Sequence, residues 1–128
     1  MLCLIFIPII AIAITLAVRF QTLKEPLSFV FNYSASTQIS NKDHTYKFNV
    51  VKLDSGYRCY IEQTPSFRGR STKNYMPHYW VENSTGKHYI CWTGKITYAE
   101  QAKTLCRNWA DATQKFIDTG KPAPGFER

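Results

Sequence analysis

Cysteine is scarce in this chain. Of four in 128 residues, Cys3 lies in an apolar stretch, leaving Cys59, Cys91 and Cys106 for the rest. Three cysteines without C-x-x-C spacing exclude a disulfide scaffold, which needs an even and denser set. They also supply no close ligand pair for structural zinc. They read as buried thiols acting as small apolar side chains. Cys59 and Cys91, both in predicted strands, are able to bridge if those strands are neighbours in an oxidising compartment. Catalytic signatures are missing as well: there is no H-E-x-x-H, P-loop, G-x-S-x-G or G-x-G-x-x-G. His44, His78 and His88 stand singly near predicted strand ends. His88 and Cys91 are three apart in one strand and so point to opposite faces. The sequence therefore reads as non-enzymatic, with no cofactor and no metal site. A small hydrolase, gathering His78 or His88 with an acid in a pocket, ranks third among the readings.

Acidic residues are outnumbered, nine against sixteen Lys and Arg, for a net charge of +7. Residues 43–128 alone carry 13 basic and 8 acidic side chains. An excess of this kind favours acidic partners. The aromatic fraction is 15%, which argues for a packed fold and against disorder.

Charge is wholly absent from Leu2 to Val18, LCLIFIPIIAIAITLAV. As a helix this run spans about 25 Å, just short of a ~30 Å hydrocarbon core. No Lys or Arg precedes it, and Thr15-Leu16-Ala17 is a poor cleavage site, so an uncleaved anchor fits better than a signal peptide; a buried core segment or a wrongly assigned start is the third reading. Arg19 and Lys24 follow it, and the positive-inside rule puts the C-terminal part in the cytoplasm. The glycosylation triplets Asn32-Tyr33-Ser34 and Asn83-Ser84-Thr85 argue for the opposite side. The division expected is an anchor over 1–20, a linker over 21–42, a domain over 43–120 and a tail over 121–128. Within the linker, Ser34–Lys42 is polar and aperiodic, while Leu27, Phe29, Val30 and Phe31 are free to dock on membrane or domain.

Period-2 alternation over Tyr46, Phe48 and Val50 predicts a strand. Asp54-Ser55-Gly56 supplies a hairpin loop, and a second strand runs over Tyr57–Glu62. A basic loop, PSFRGRSTKNYMP, follows over 65–77. Strands over His78–Glu82 and Lys87–Thr93 flank the turn Asn83–Gly86. Thr97 and Glu100 form a capping box. Ala102, Leu105, Cys106, Trp109, Thr113, Phe116 and Ile117 then recur at helical spacing. Gln101, Lys103, Thr104, Arg107, Asn108, Asp111, Gln114 and Lys115 make the opposite, polar face. Gly120 and Pro122 end the helix. The fold class is α+β: an antiparallel sheet of two hairpins, ββββα, packed on one long C-terminal amphipathic helix and preceded by the N-terminal hydrophobic helix.

The candidate binding residues are Arg58, Tyr60, Arg68, Arg70, Lys73 and Trp80. Arg68, Arg70 and Lys73 lie in a loop without acidic residues, a composition suited to phosphate. On the second strand Tyr57, Cys59 and Ile61 form the apolar set that faces the helix. Arg58, Tyr60 and Glu62 are left on the open side with Lys47 and Trp80. Mixed aromatic and basic residues on an open sheet stack bases and hold phosphates. Tyr89, Cys91 and Trp92 belong to a strand apolar on both faces, and the pattern assigns them to neither.

The run Gly86-Lys87-His88-Tyr89-Ile90-Cys91-Trp92 precedes a helix containing Glu100-Gln101-Ala102 and Trp109-Ala110-Asp111-Ala112. Together they resemble the last strand and helix of small DNA-binding modules such as AP2-type domains and the arm-binding domains of tyrosine integrases. The resemblance covers about 35 residues, is one of pattern, and implies DNA binding through a sheet-plus-helix unit. The expectation is a membrane-anchored binding domain for an acidic partner: DNA or RNA, an acidic protein or a lipid headgroup. A protein–protein adaptor using the open aromatic face is the alternative.

Overall fold

Alternating apolar side chains give a chain segment one dry face, and two neighbouring segments here, with burial alternating along each, do so in register. The computed structural model describes residues 24–37, 43–70 and 79–121. Its strands are β1 Ser28–Ser34, β2 Thr45–Leu53, β3 Gly56–Gln63, β4 Tyr79–Val81 and β5 His88–Ile90, followed by helix α1, Ala99–Thr119. They form one antiparallel sheet in the order β1-β2-β3-β5-β4. The class is α+β, with five described strands where the sequence pattern marked four. The apolar run 2–18, the stretch 71–78 with Lys73 and His78, and most of the tail lie outside the described residues. Among the described residues no helix is long and apolar enough to cross a membrane.

The added strand is β1, which falls within the segment read as a linker. Phe29, Phe31 and Tyr33 turn inward while Ser28, Val30, Asn32 and Ser34 face out. Phe29 pairs with Val50, Phe31 with Phe48 and Tyr33 with Tyr46, so one continuous aromatic face spans β1 and β2. Helix α1 lies across it. Trp109, 1% exposed, meets the rings of Tyr46 and Phe48 edge-on at 6.2 and 6.1 Å, a favoured aromatic arrangement. Cys59, Ala102, Cys106 and Ala110 complete this core. On the flank, Lys103 and Arg107 lay their cationic ends over Phe29 and Phe31. Long basic side chains thus shield rings that the helix backbone does not reach.

The N-terminal segment is fastened to α1 at both ends. The Ala99 N–H donates to Glu25 Oε2 at 2.8 Å. This places a carboxylate where the helix dipole favours one. Tyr33 Oη donates to the Asp111 carboxylate at 2.9 Å, and the Ser36 N–H also reaches Asp111. Thr37 donates to Asp118. The cap expected from Thr97 and Glu100 is displaced by one residue. Tyr98 is the N-cap, and Gln101 Oε1 accepts from the Thr97 and Tyr98 N–H groups. At the other end Gly120 adopts φ 73°, the left-handed cap.

Gly56, at φ 108°, closes the β2–β3 turn. A Cβ there would come within 2.7 Å of the Ile96 carbonyl oxygen, which accepts the Tyr57 N–H. That contact draws the segment after β5 back beside β3 and shapes the region described next.

Candidate functional site

One face of the sheet packs on α1 and the other carries no element among the described residues. Strand register lays a row across that second face: Val30, Asn49, Tyr60, Tyr89 and Trp80. Arg58 and Lys47 project from the same side by the two-residue period. Arg58, Tyr60 and Trp80 are thus brought together as the sequence pattern anticipated, and Tyr89 joins them.

Glu82, just past β4, organises this group. Its Oε2 accepts from Tyr60 Oη and from Arg58 Nη1, the latter at 3.0 Å. Its Oε1 accepts from Thr85 Oγ1 at 2.8 Å. The Tyr60 hydrogen bond, then that of Thr85, holds the Glu82 carboxyl below the usual range for glutamate. Burial, helped by the same carboxylate, pushes the Tyr60 phenol up. Tyr60 is buried, with its ring edge-on to Tyr89 and Lys87 Nζ 5.7 Å from its centroid. It is therefore a positioning residue and not an open stacking surface. The Arg58 guanidinium carbon lies over the Tyr89 ring, 4.3 Å from its centroid, and its charge is met locally by Glu82. The cations of this face that no carboxylate meets in the described contacts are Lys47 and Lys87.

Beyond the Tyr60–Tyr89 pair the two strands part. Residues 91–96 swing away from β3 and return at Ile96, leaving a cavity of about 240 Å³. Arg58, Trp80, Tyr89 and Trp92 line it, together with Ile90 and, from α1, Leu105. Trp80 and Trp92 are each 58% exposed. A second cavity of about 390 Å³ shares Trp92, Ile96 and Leu105 with the first and opens toward α1. Trp92 and Tyr89 are the residues that the sequence pattern left unassigned. Their signal was present as two large aromatic residues close together in the sequence; Tyr89 lies in β5, and Trp92, expected in the same strand, falls two residues past its end.

The basic loop is placed elsewhere. Arg68 and Gly69, both at positive φ, form a tight turn closed by the Arg70 N–H donating to the Phe67 carbonyl. That turn directs the arginines at the C-terminal end of α1. Arg68 Nη1 lies 3.4 Å from Asp118 Oδ1, on a side chain only 4% exposed. Arg70 Nε donates to the Ile117 carbonyl, supplying the cation that the last helical turn lacks. Both arginines are thus engaged with the helix side and stand apart from Arg58, Tyr60 and Trp80. Lys73 lies outside the described residues.

The remaining nucleophile and ligand candidates are dispersed. His44 Nδ1 contacts the Ala35 carbonyl, and His88 stacks on Tyr79 at 4.6 Å. Cys59, Cys91 and Cys106 are free thiols. Cys59 Sγ donates to the Ala102 carbonyl in the core, directed at the helix and away from Cys91. Among the described residues no group of three or more His, Cys, Asp or Glu side chains converges on a metal position.

The fold and site define a small α+β domain: an open antiparallel sheet, one covering helix, and an aromatic-basic cleft between β3 and the 91–96 segment that reaches from the uncovered face to Leu105 of α1. No protein-family model matches the chain, no curated protein is significantly similar to it, and no solved structure matches it.

Proposed function

We propose that this chain is a non-enzymatic binding domain that takes single-stranded nucleic acid on the uncovered face of its sheet. The observation that carries the reading is the group formed by Tyr89 and Trp80 with Arg58 and Lys87 on the uncovered side of the sheet, next to a cavity that Trp92 also lines. Exposed indole rings stack on any base, and lysines beside them meet phosphates. The excess of basic over acidic residues draws polyanions to the surface. The test is anisotropy of labelled single- and double-stranded oligonucleotides with the full chain across a salt series. Preference for the single strand is expected, with affinity falling as salt rises by a log–log slope of about −1.5 to −2 for two to three phosphates. Trp80→Ala should weaken binding by about 1–3 kcal/mol. Salt-independent binding, or none at low salt, removes the reading.

Tethering to the inner face of a membrane through residues 2–18 is a separate part of the proposal, supported by the uncharged run and by Arg19 and Lys24 after it. Protease added to intact cells should spare the domain and cleave it only after lysis. Asn83 stands exposed in the β4–β5 turn, so a glycan found there would reverse the orientation.

An adaptor role is the second reading. Leu27, Val30 and Val81 are exposed apolar side chains on or beside the edge strands, where another chain would pair. It predicts concentration-dependent association with little response to salt.

A further inference from the structure

The geometry points to the cavity between β3 and the 91–96 segment as a pocket for one unstacked nucleobase of a bound strand. This rests on the nucleic-acid reading above and specifies how that face would hold its ligand. A flat platform needs exposed rings lying along the sheet. Here Tyr60 is buried under Lys87 and Tyr89, so the row across the strands offers little free ring surface at its centre. The free aromatic surface stands at the cavity mouth, where Trp80 and Trp92 are each 58% exposed.

Size and chemistry select the occupant. The cavity measures about 240 Å³, below the ~300–1,000 Å³ that drug-sized ligands fill. It accommodates a single ring system. Its walls include two indoles and Tyr89, with the Arg58 guanidinium carbon 4.3 Å from the Tyr89 ring centroid, and the aliphatic Ile90, Ile96 and Leu105. Bases turned out of a strand are held in this way, between aromatic faces and guanidinium planes. An isolated quaternary cation is disfavoured, because a guanidinium forms part of the wall. The strand backbone outside the pocket passes Lys87, whose Nζ lies 5.7 Å from the Tyr60 ring centroid on the same face.

Trp92 separates this pocket from the platform, because it lines the cavity and is not in the cross-strand row. The experiment therefore measures binding of a short labelled single-stranded oligonucleotide, and of the same strand with one base replaced by an abasic site. The proteins are the full chain, Trp92→Ala, Trp92→Phe and Lys87→Ala. Trp92→Ala should lose about tenfold or more in affinity, with Trp92→Phe regaining most of it. The abasic strand should bind the unaltered chain correspondingly less tightly, and should bind Trp92→Ala as the intact strand does. Thermal melts of the variants guard against loss of fold. Unchanged affinity in Trp92→Ala together with weakened binding in Lys87→Ala would overturn the pocket and leave the nucleic-acid reading standing. If no strand binds any of the proteins at low salt, both fall.

Discussion

At position 106 a thiol is placed where water does not reach. Cys106 is fully buried, one helical turn past Ala102, whose carbonyl accepts from Cys59. Its hydrogen bond with Cys59, and then its burial, push the Cys106 thiol far above the ordinary cysteine range. Alkylation requires the thiolate. Among the described cysteines, iodoacetamide on the folded chain should therefore label half-buried Cys91 first, and label Cys106 only on denaturation, as read by peptide mass mapping. Early labelling of Cys106 would contradict this placement. The same scale shows what a residue's neighbours hide from its sequence. Gln114 belongs by helical spacing to the polar face, yet it is fully buried. It accepts from Tyr46 Oη at 3.0 Å and donates to Asp118 at 3.0 Å. The wheel position was legible. The segment at 35–37 and the loop at 67–70, which bring Thr37 and Arg68 against Asp118 at the edge of that face, were not, because loops leave no periodic signal.

Among the elements, α1 was read with the most detail and β1 with the least. Of the apolar stripe from Ala102 to Ile117 all but half-buried Leu105 is buried, and Ala110, Ala112 and Gln114 widen the buried face, since a 3.6-residue period needs no knowledge of partners but does not fix the width of the contact. β1 was obscured because Val30 fills the outward position between Phe29 and Phe31, turning an alternation into an apolar run beside a polar stretch. The strand's value lies partly in Glu25, which caps α1 from outside the helix. Glu25→Ala should lower stability by about 1 kcal/mol, the ordinary worth of a helix N-cap, with Glu25→Gln retaining part of it. Urea unfolding midpoints measure this. An unchanged midpoint in Glu25→Ala would mean that the cap is not held in solution. The hairpin β4–β5 was anticipated between the turn residues 83–86. Its strands are three residues each, and their shortness opens the cleft beside Trp92.

At the scale of the whole molecule, acid should act through carboxylates that hold parts together. Hydrogen bonds lower the Glu82 carboxyl from its ordinary value of 4.5, and those from Thr45 lower Asp43. Such groups contribute stability that is fully present above the unfolded value and is lost as pH falls through the lower folded one. Melting temperature should therefore hold level from neutral pH to about 5 and fall below that. Glu82→Gln should flatten part of the fall; an identical profile in the variant would show that Glu82 is not linked to folding. The site itself was partly legible. Arg58, Tyr60 and Trp80 share a face because alternation fixes faces locally. Arg68 and Arg70 were misplaced because composition alone cannot say where a turn at positive φ aims its side chains.

Because β1 is part of the sheet, the stretch between the apolar run and the folded domain is short. From Val18 to Glu25, where the helix cap begins, the chain has six intervening residues, a reach of at most about 25 Å. Under the proposed tethering of residues 2–18, that reach keeps the domain on a short leash. A partner would then have to come to it within roughly its own width of the membrane, and the crowding and charge of that surface would become part of what the cleft encounters.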